Sequence, residues 1–124
     1  MPYELYKVVH VLGIAMVCVG IGATAVAALL AQNQHPGLPP LKKLSAITHG
    51  VGLLLILVSG FGILAKLHLS FTSPWLVLKL VVWLLLGVAP VVWRRVPQSA
   101  TIMWWAVPAL VALAGYLGLS KPMF

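Results

Sequence analysis

The feature that most constrains this chain is a set of four long apolar runs, each able to cross a lipid bilayer as a helix. About 20 consecutive apolar residues suffice to span the hydrocarbon core. The runs place expected helices over 3–32, 44–68, 74–93 and 100–119. Of the 124 residues, 62% are hydrophobic and 7% charged, against about 25% charged in a soluble domain. The chain therefore reads as an integral membrane protein. Its net charge of +7 does not signal nucleic-acid binding. The basic residues stand singly or in pairs near the ends of the apolar runs, where they meet anionic head groups.

Short connections leave room for one domain, residues 1–124, and predict an all-α, up-down-up-down four-helix membrane bundle. The polar run Gln32-Asn33-Gln34-His35 ends the first helix, and Pro36-Gly37-Leu38-Pro39-Pro40 reads as a stiff turn. Ser73-Pro74 gives the third helix a serine cap and a proline at its first position. Both termini then lie on one side, here side A, and the loops after the first and third helices on side B. Lys42, Lys43, Arg94 and Arg95 flank the spans on side B, which points to side B as cytoplasmic. The first run is too long for a signal-peptide core and reads as a retained helix. The one cysteine, Cys18, lacks any disulfide or metal spacing and reads as a small apolar residue.

Few polar groups interrupt the spans, and those few carry the functional question. His10 lies on a small-residue stripe with Gly13, Val17, Gly20 and Thr24, a pattern that admits a neighbouring helix closely. His49 opens the second helix among Gly50, Gly52, Gly60 and Gly62. Lys79 sits inside the third, with Trp75 and Trp83 at i−4 and i+4 on its own face. A cation within a span must snorkel, pair or act. At about 1.5 Å per residue, His10 and Lys79 lie about 10 Å and about 8 Å in from side A. His49 enters from side B, about 15–20 Å away along the axis. His10 and Lys79 can thus face one another, whereas His10 and His49 cannot clasp one ligand.

The residues leave alternatives open. Lys79 either snorkels to the interface or serves as a ligand or charge partner. Trp75 and Trp83 are interfacial packing, a cation–π cage, or the walls of a flat macrocycle. His10 either hydrogen-bonds a neighbouring helix or forms a site. His49 either bonds a neighbouring helix or joins a second site with Met103. Glu4, the one acidic residue, is placed to pair with Lys7 at i+3. No carboxylate lies deep in a span, which argues against a carboxylate proton relay. No phosphate loop, metalloprotease motif or serine triad is present.

Tyr6-Lys7-Val8-Val9-His10 together with Pro74-Trp75-Leu76-Val77-Leu78-Lys79-Leu80 resembles two groups of small bacterial membrane proteins. The closer is the SirB-type four-helix family, which is also similar through Thr48-His49 and the ending Gly118-Leu119-Ser120-Lys121-Pro122. The more distant is the HemJ family, which oxidises protoporphyrinogen IX. The HemJ resemblance implies haem b held by a first-helix histidine and a third-helix lysine, which match His10 and Lys79. The chain departs from that family after the first helix, where Ala31-Gln32-Asn33-Gln34 replaces an arginine-bearing segment.

The functional expectation is a haem b or porphyrin site between the first and third helices. His10 would be a metal ligand, Lys79 a second metal ligand or a carboxylate-holding cation, and Trp75 and Trp83 the walls. Electron transfer or porphyrinogen oxidation in a bacterial inner membrane would follow. The competing expectation is a cofactor-free membrane subunit or assembly factor. It would pack its glycine stripes against partner membrane proteins or a second copy, with lipid as its remaining partner.

Overall fold

A computed structural model of the chain describes residues 2–31 and 36–120. Its helices are α1 (Tyr3–Leu29), α2 (Leu38–Leu67), α3 (Pro74–Arg95), α4 (Ser99–Met103) and α5 (Ala106–Ser120). The described residues contain no strand, and the protein is all-α. Four stretches, namely α1, α2, α3 and the α4–α5 pair, are long and apolar enough to cross a membrane. The expected helix end at 32–35, with His35, and residues 121–124 lie outside the described residues.

Side chains explain where the helices begin and end. Pro2 precedes α1 in an extended conformation and accepts the Leu5 and Tyr6 amides, while Glu4 occupies the positive first turn. Helix α2 starts at Leu38 rather than at 44. Pro39 and Pro40 fall in its first turn, where backbone N–H groups have no helical partner to lose, so only Pro36-Gly37 remains as the turn. At its other end His68 adopts a left-handed φ of 55° and lets the Leu69 amide close on the Leu64 carbonyl, 3.0 Å away. Ser73 does precede α3, but its hydroxyl turns back to the Ser70 carbonyl and does not cap the helix.

The expected fourth helix over 100–119 is two helices. Pro108 has no amide to return to the Trp104 carbonyl, and its ring crowds that carbonyl. The helix breaks at Trp104-Trp105, both exposed. Pro90 poses the same problem in α3 with a different outcome. Its missing amide frees the Leu86 carbonyl, and His49 of α2 donates Nε2–H to that oxygen at 3.0 Å. Helix α3 continues unbroken to Arg95.

The small-residue stripes of α1 and α2 face each other. Tyr6 lies against Gly62, His10 beside Gly60, Gly13 against Gly52 and Ile56, and Gly20 against His49. The order of these contacts makes α1 and α2 antiparallel. A Cβ on Gly20 would stand 2.8 Å from the His49 amide nitrogen, so glycine is what permits this approach. Helix α3 is antiparallel to α2, through His49 to Leu86 and Trp83 Nε1–H to the Leu53 carbonyl at 3.1 Å. Between α1 and α3, Trp93, buried to 1% exposure, donates Nε1–H to Thr24 Oγ1 at 3.3 Å. The main core joins Val17, Ile21 and Ala25 of α1 to Val82, Leu86 and Ala89 of α3. A smaller one joins Leu64, Trp75, Leu76 and Leu117. The outward positions, among them Val8, Leu12, Val19, Leu54, Val58 and Leu84, are exposed. So apolar an exterior suits acyl chains rather than water.

Candidate functional site

A cavity of about 470 Å³ opens between α1, α2, α3 and α5, and His10, Trp75, Lys79 and Trp83 all line it. The helix order creates this convergence. Helices α1 and α3 run the same way, so residues set equally far into each come to one level, and α2 returns between them. The walls are mostly aliphatic, with Ile14, Val17, Leu80, Leu86 and Val111 among them. The volume falls within the range of about 300–1,000 Å³ usual for small-molecule sites.

His10 is oriented by a residue that the sequence reading did not single out. Its Nδ1 lies 2.9 Å from Ser59 Oγ on α2. Ser59 is buried and its hydroxyl donates to the Leu55 carbonyl, with the Ile56 carbonyl 3.2 Å away. A serine hydroxyl has one hydrogen. With that hydrogen held by the α2 backbone, Oγ accepts from the imidazole, and Nδ1 carries the His10 proton. Nε2 is then the lone-pair nitrogen. Histidine ligands of metals are oriented in this way, with the second ring nitrogen donating to a protein acceptor. Pairing the α1 and α2 stripes in antiparallel register would have revealed Ser59. It stands on the face that carries Gly52, seven positions further on.

Lys79 is half-buried, and its ammonium turns towards α5. A Cβ on Gly118 would stand 2.7 Å from Lys79 Nζ, so the missing side chain at Gly118 makes room for the cation. Gly118 belongs to the last turn of α5, where carbonyls lack helical donors and the dipole favours a positive charge. Trp75 is buried at 5% exposure within the smaller core cluster, and half-buried Trp83 is tethered to α2 through Leu53.

His49 stands apart from this group. It lies ten residues before Ser59 on α2, about 15 Å along the helix, and its Nε2–H is committed to Leu86. The structure thus assigns it to helix packing. Met103, its expected partner in a second site, lines a different cavity with Cys18 and Trp93, which His49 does not reach. Cys18 is exposed, and His68 is exposed at the end of α2. Lys7 lays its ammonium over the Tyr3 ring, 5.2 Å from the centroid.

Among the described residues no group of three or more His, Cys, Asp or Glu side chains converges. A metal held wholly by such side chains is therefore not built here, whereas a haem needs only axial ligands from the protein. The donors fit that requirement through one neutral imidazole, oriented from behind, in an apolar cavity that a cation also lines. No protein-family model, curated protein or solved structure matches this chain.

Proposed function

We propose that the protein is an up-down-up-down membrane bundle that holds haem b or a related porphyrin in the α1–α2–α3–α5 cavity and serves electron transfer. The observation that carries this reading is the hydrogen bond from His10 Nδ1 to Ser59, which leaves Nε2 as the lone-pair nitrogen of a residue lining an apolar cavity. His10 would hold the iron of such a group through that nitrogen. Lys79 would hold a propionate, because its ammonium is drawn to the last turn of α5. Trp75 and Trp83 are the aromatic walls. Bound haem would supply one-electron chemistry, and porphyrinogen oxidation is the narrower activity to assay.

The proposed setting is a bacterial inner membrane, with Lys42, Lys43, Arg94 and Arg95 on the cytoplasmic face. Here the SirB-like and HemJ-like motifs and the His10–Lys79 cavity support the same reading. The cofactor-free alternative relied on glycine stripes free to meet a partner. Gly13, Gly20, Gly52 and Gly62 face the opposite helix of the same chain, which leaves Gly50 of the α2 set open to such a partner.

The test is a visible spectrum of the purified full chain in detergent, before and after haem titration. A Soret band that His10→Ala abolishes, Lys79→Gln weakens and His49→Ala leaves in place is the expected result. No Soret complex at any haem concentration would refute the proposal.

A further inference from the structure

A second cavity, of about 470 Å³, lies between α1 and the α3–α4–α5 segment, at the end of the bundle where α1 and α3 finish. Its inner wall includes Ile21, Trp93 and Val107, all buried. Its rim includes Cys18, Trp104 and Ala112, all exposed. The cavity therefore opens sideways, between α1 and α5, onto the acyl chains that so apolar an exterior requires.

None of the residues lining this cavity is charged. The Trp93 indole N–H is already committed to Thr24. The interior thus suits hydrocarbon and gives a charged head nothing to pair with. Charge lies just outside it. Arg94 and Arg95 follow Trp93 directly in the last turn of α3, and both are exposed. Glu4, the chain's one acidic side chain, stands in the first turn of α1, about 40 Å away along that helix. No Asp or Glu side chain of this chain can therefore neutralise the arginine pair. Guanidinium groups bind phosphate oxygens bidentately. A phospholipid carries its parts in the matching order, with phosphate at the interface and hydrocarbon running inward.

We infer that this cavity holds an acyl chain of one anionic phospholipid, whose headgroup is bound by Arg94 and Arg95. The inference goes beyond the porphyrin reading and uses neither His10 nor Lys79. Lys42 and Lys43 lie in the first turns of α2 at the same end of the bundle, but no α2 residue lines this cavity, so the arginines carry the selectivity. Occupancy by the lipid chain also fills the gap beside the break at Trp104-Trp105.

The test is lipid retention. The full chain is reconstituted in vesicles of equal phosphatidylglycerol and phosphatidylcholine with matched acyl chains, extracted in mild detergent and read by native mass spectrometry. Wild-type protein should retain one lipid per chain, with phosphatidylglycerol favoured at least about tenfold. Arg94→Gln together with Arg95→Gln should lower that preference about tenfold, whereas Lys42→Gln together with Lys43→Gln should keep most of it. Gly22 lines the cavity and a Cβ there meets nothing within 4 Å. Gly22→Leu should therefore displace both lipids while far-UV circular dichroism stays unchanged. The ratio of the two lipids is the readout for the charge variants, because a loss of fold would weaken both alike. Equal retention of the two lipids by wild-type protein would overturn the inference. So would an equal loss of preference from the lysine and arginine substitutions, which would mark a diffuse surface charge, or full lipid retention by Gly22→Leu.

Discussion

The contact between His49 and Leu86 makes a prediction that can be worked through from the structure. Pro90 lacks the amide that would pair with the Leu86 carbonyl, and His49 supplies the donor from the neighbouring helix at 3.0 Å. In His49→Ala the carbonyl is buried without a partner, which costs about 1–3 kcal/mol. The lost imidazole packing beside Gly20 adds to this. Hydrogen bonds between membrane helices average about 0.6 kcal/mol and reach about 1.7 kcal/mol, so the hydrogen-bonding part should be about 1–2 kcal/mol. Pro90→Ala restores a backbone donor to Leu86 within α3. His49→Ala should then cost about 1 kcal/mol less in the Pro90→Ala background than in wild type. The packing loss is common to both backgrounds and cancels from the difference. The assay is a double-mutant cycle on unfolding in mixed micelles, followed by far-UV circular dichroism. Additivity within about 0.3 kcal/mol would refute the claim that His49 substitutes for the missing Pro90 amide.

Other consequences are as direct. Ser59→Ala removes the acceptor that orients His10; haem affinity should fall about 10–100-fold, with a shifted Soret maximum, while His49-dependent stability is unchanged. Gly20→Ala and Gly22→Ala should diverge. A Cβ at Gly20 meets the His49 backbone at 2.8 Å and should cost about 1–3 kcal/mol, whereas Gly22 has nothing within 4 Å and should change stability by less than about 0.5 kcal/mol. Equal unfolding midpoints for the pair would contradict the α1–α2 register. Gly118→Ala places a methyl 2.7 Å from Lys79 Nζ and should weaken haem binding in the same direction as Lys79→Gln; unaltered titration curves would remove Gly118 from the site.

The sequence carried most of the fold because bilayer thickness ties apolar length to helix number. Rise per residue also converts positions to depth, and His10 and Lys79, at similar depth by that arithmetic, line one cavity. It fell short where backbone donors and acceptors decide the outcome. Pro39 and Pro40 are compatible with a turn and with a first helical turn, and only the surrounding contacts select the second. Pro90 and Pro108 are the same residue in similar runs, yet one helix continues and the other breaks. His49 resolves the difference at Pro90, and it does so across a helix interface that a one-dimensional reading does not contain. Ser59 was missed for the same reason.

The histidines of α1 and α2 show how that difference bears on function. Each donates one ring N–H to a neighbouring helix, but with opposite nitrogens. His49 uses Nε2–H on the Leu86 carbonyl, which has no other helical donor, and is not itself among the residues that line the cavity. His10 uses Nδ1–H on a serine whose own proton is already placed, and its remaining nitrogen belongs to a residue on the cavity wall. A bolt between helices needs only the donor. A ligand needs a donor on one side, an acceptor behind it and space in front. Of these two histidines only His10 lines the cavity, as Lys79 does, and this is the pairing on which the proposed haem site depends. The third-helix lysine is thus better understood through the last turn of α5, towards which its ammonium turns, than through the apolar run that surrounds it in the sequence.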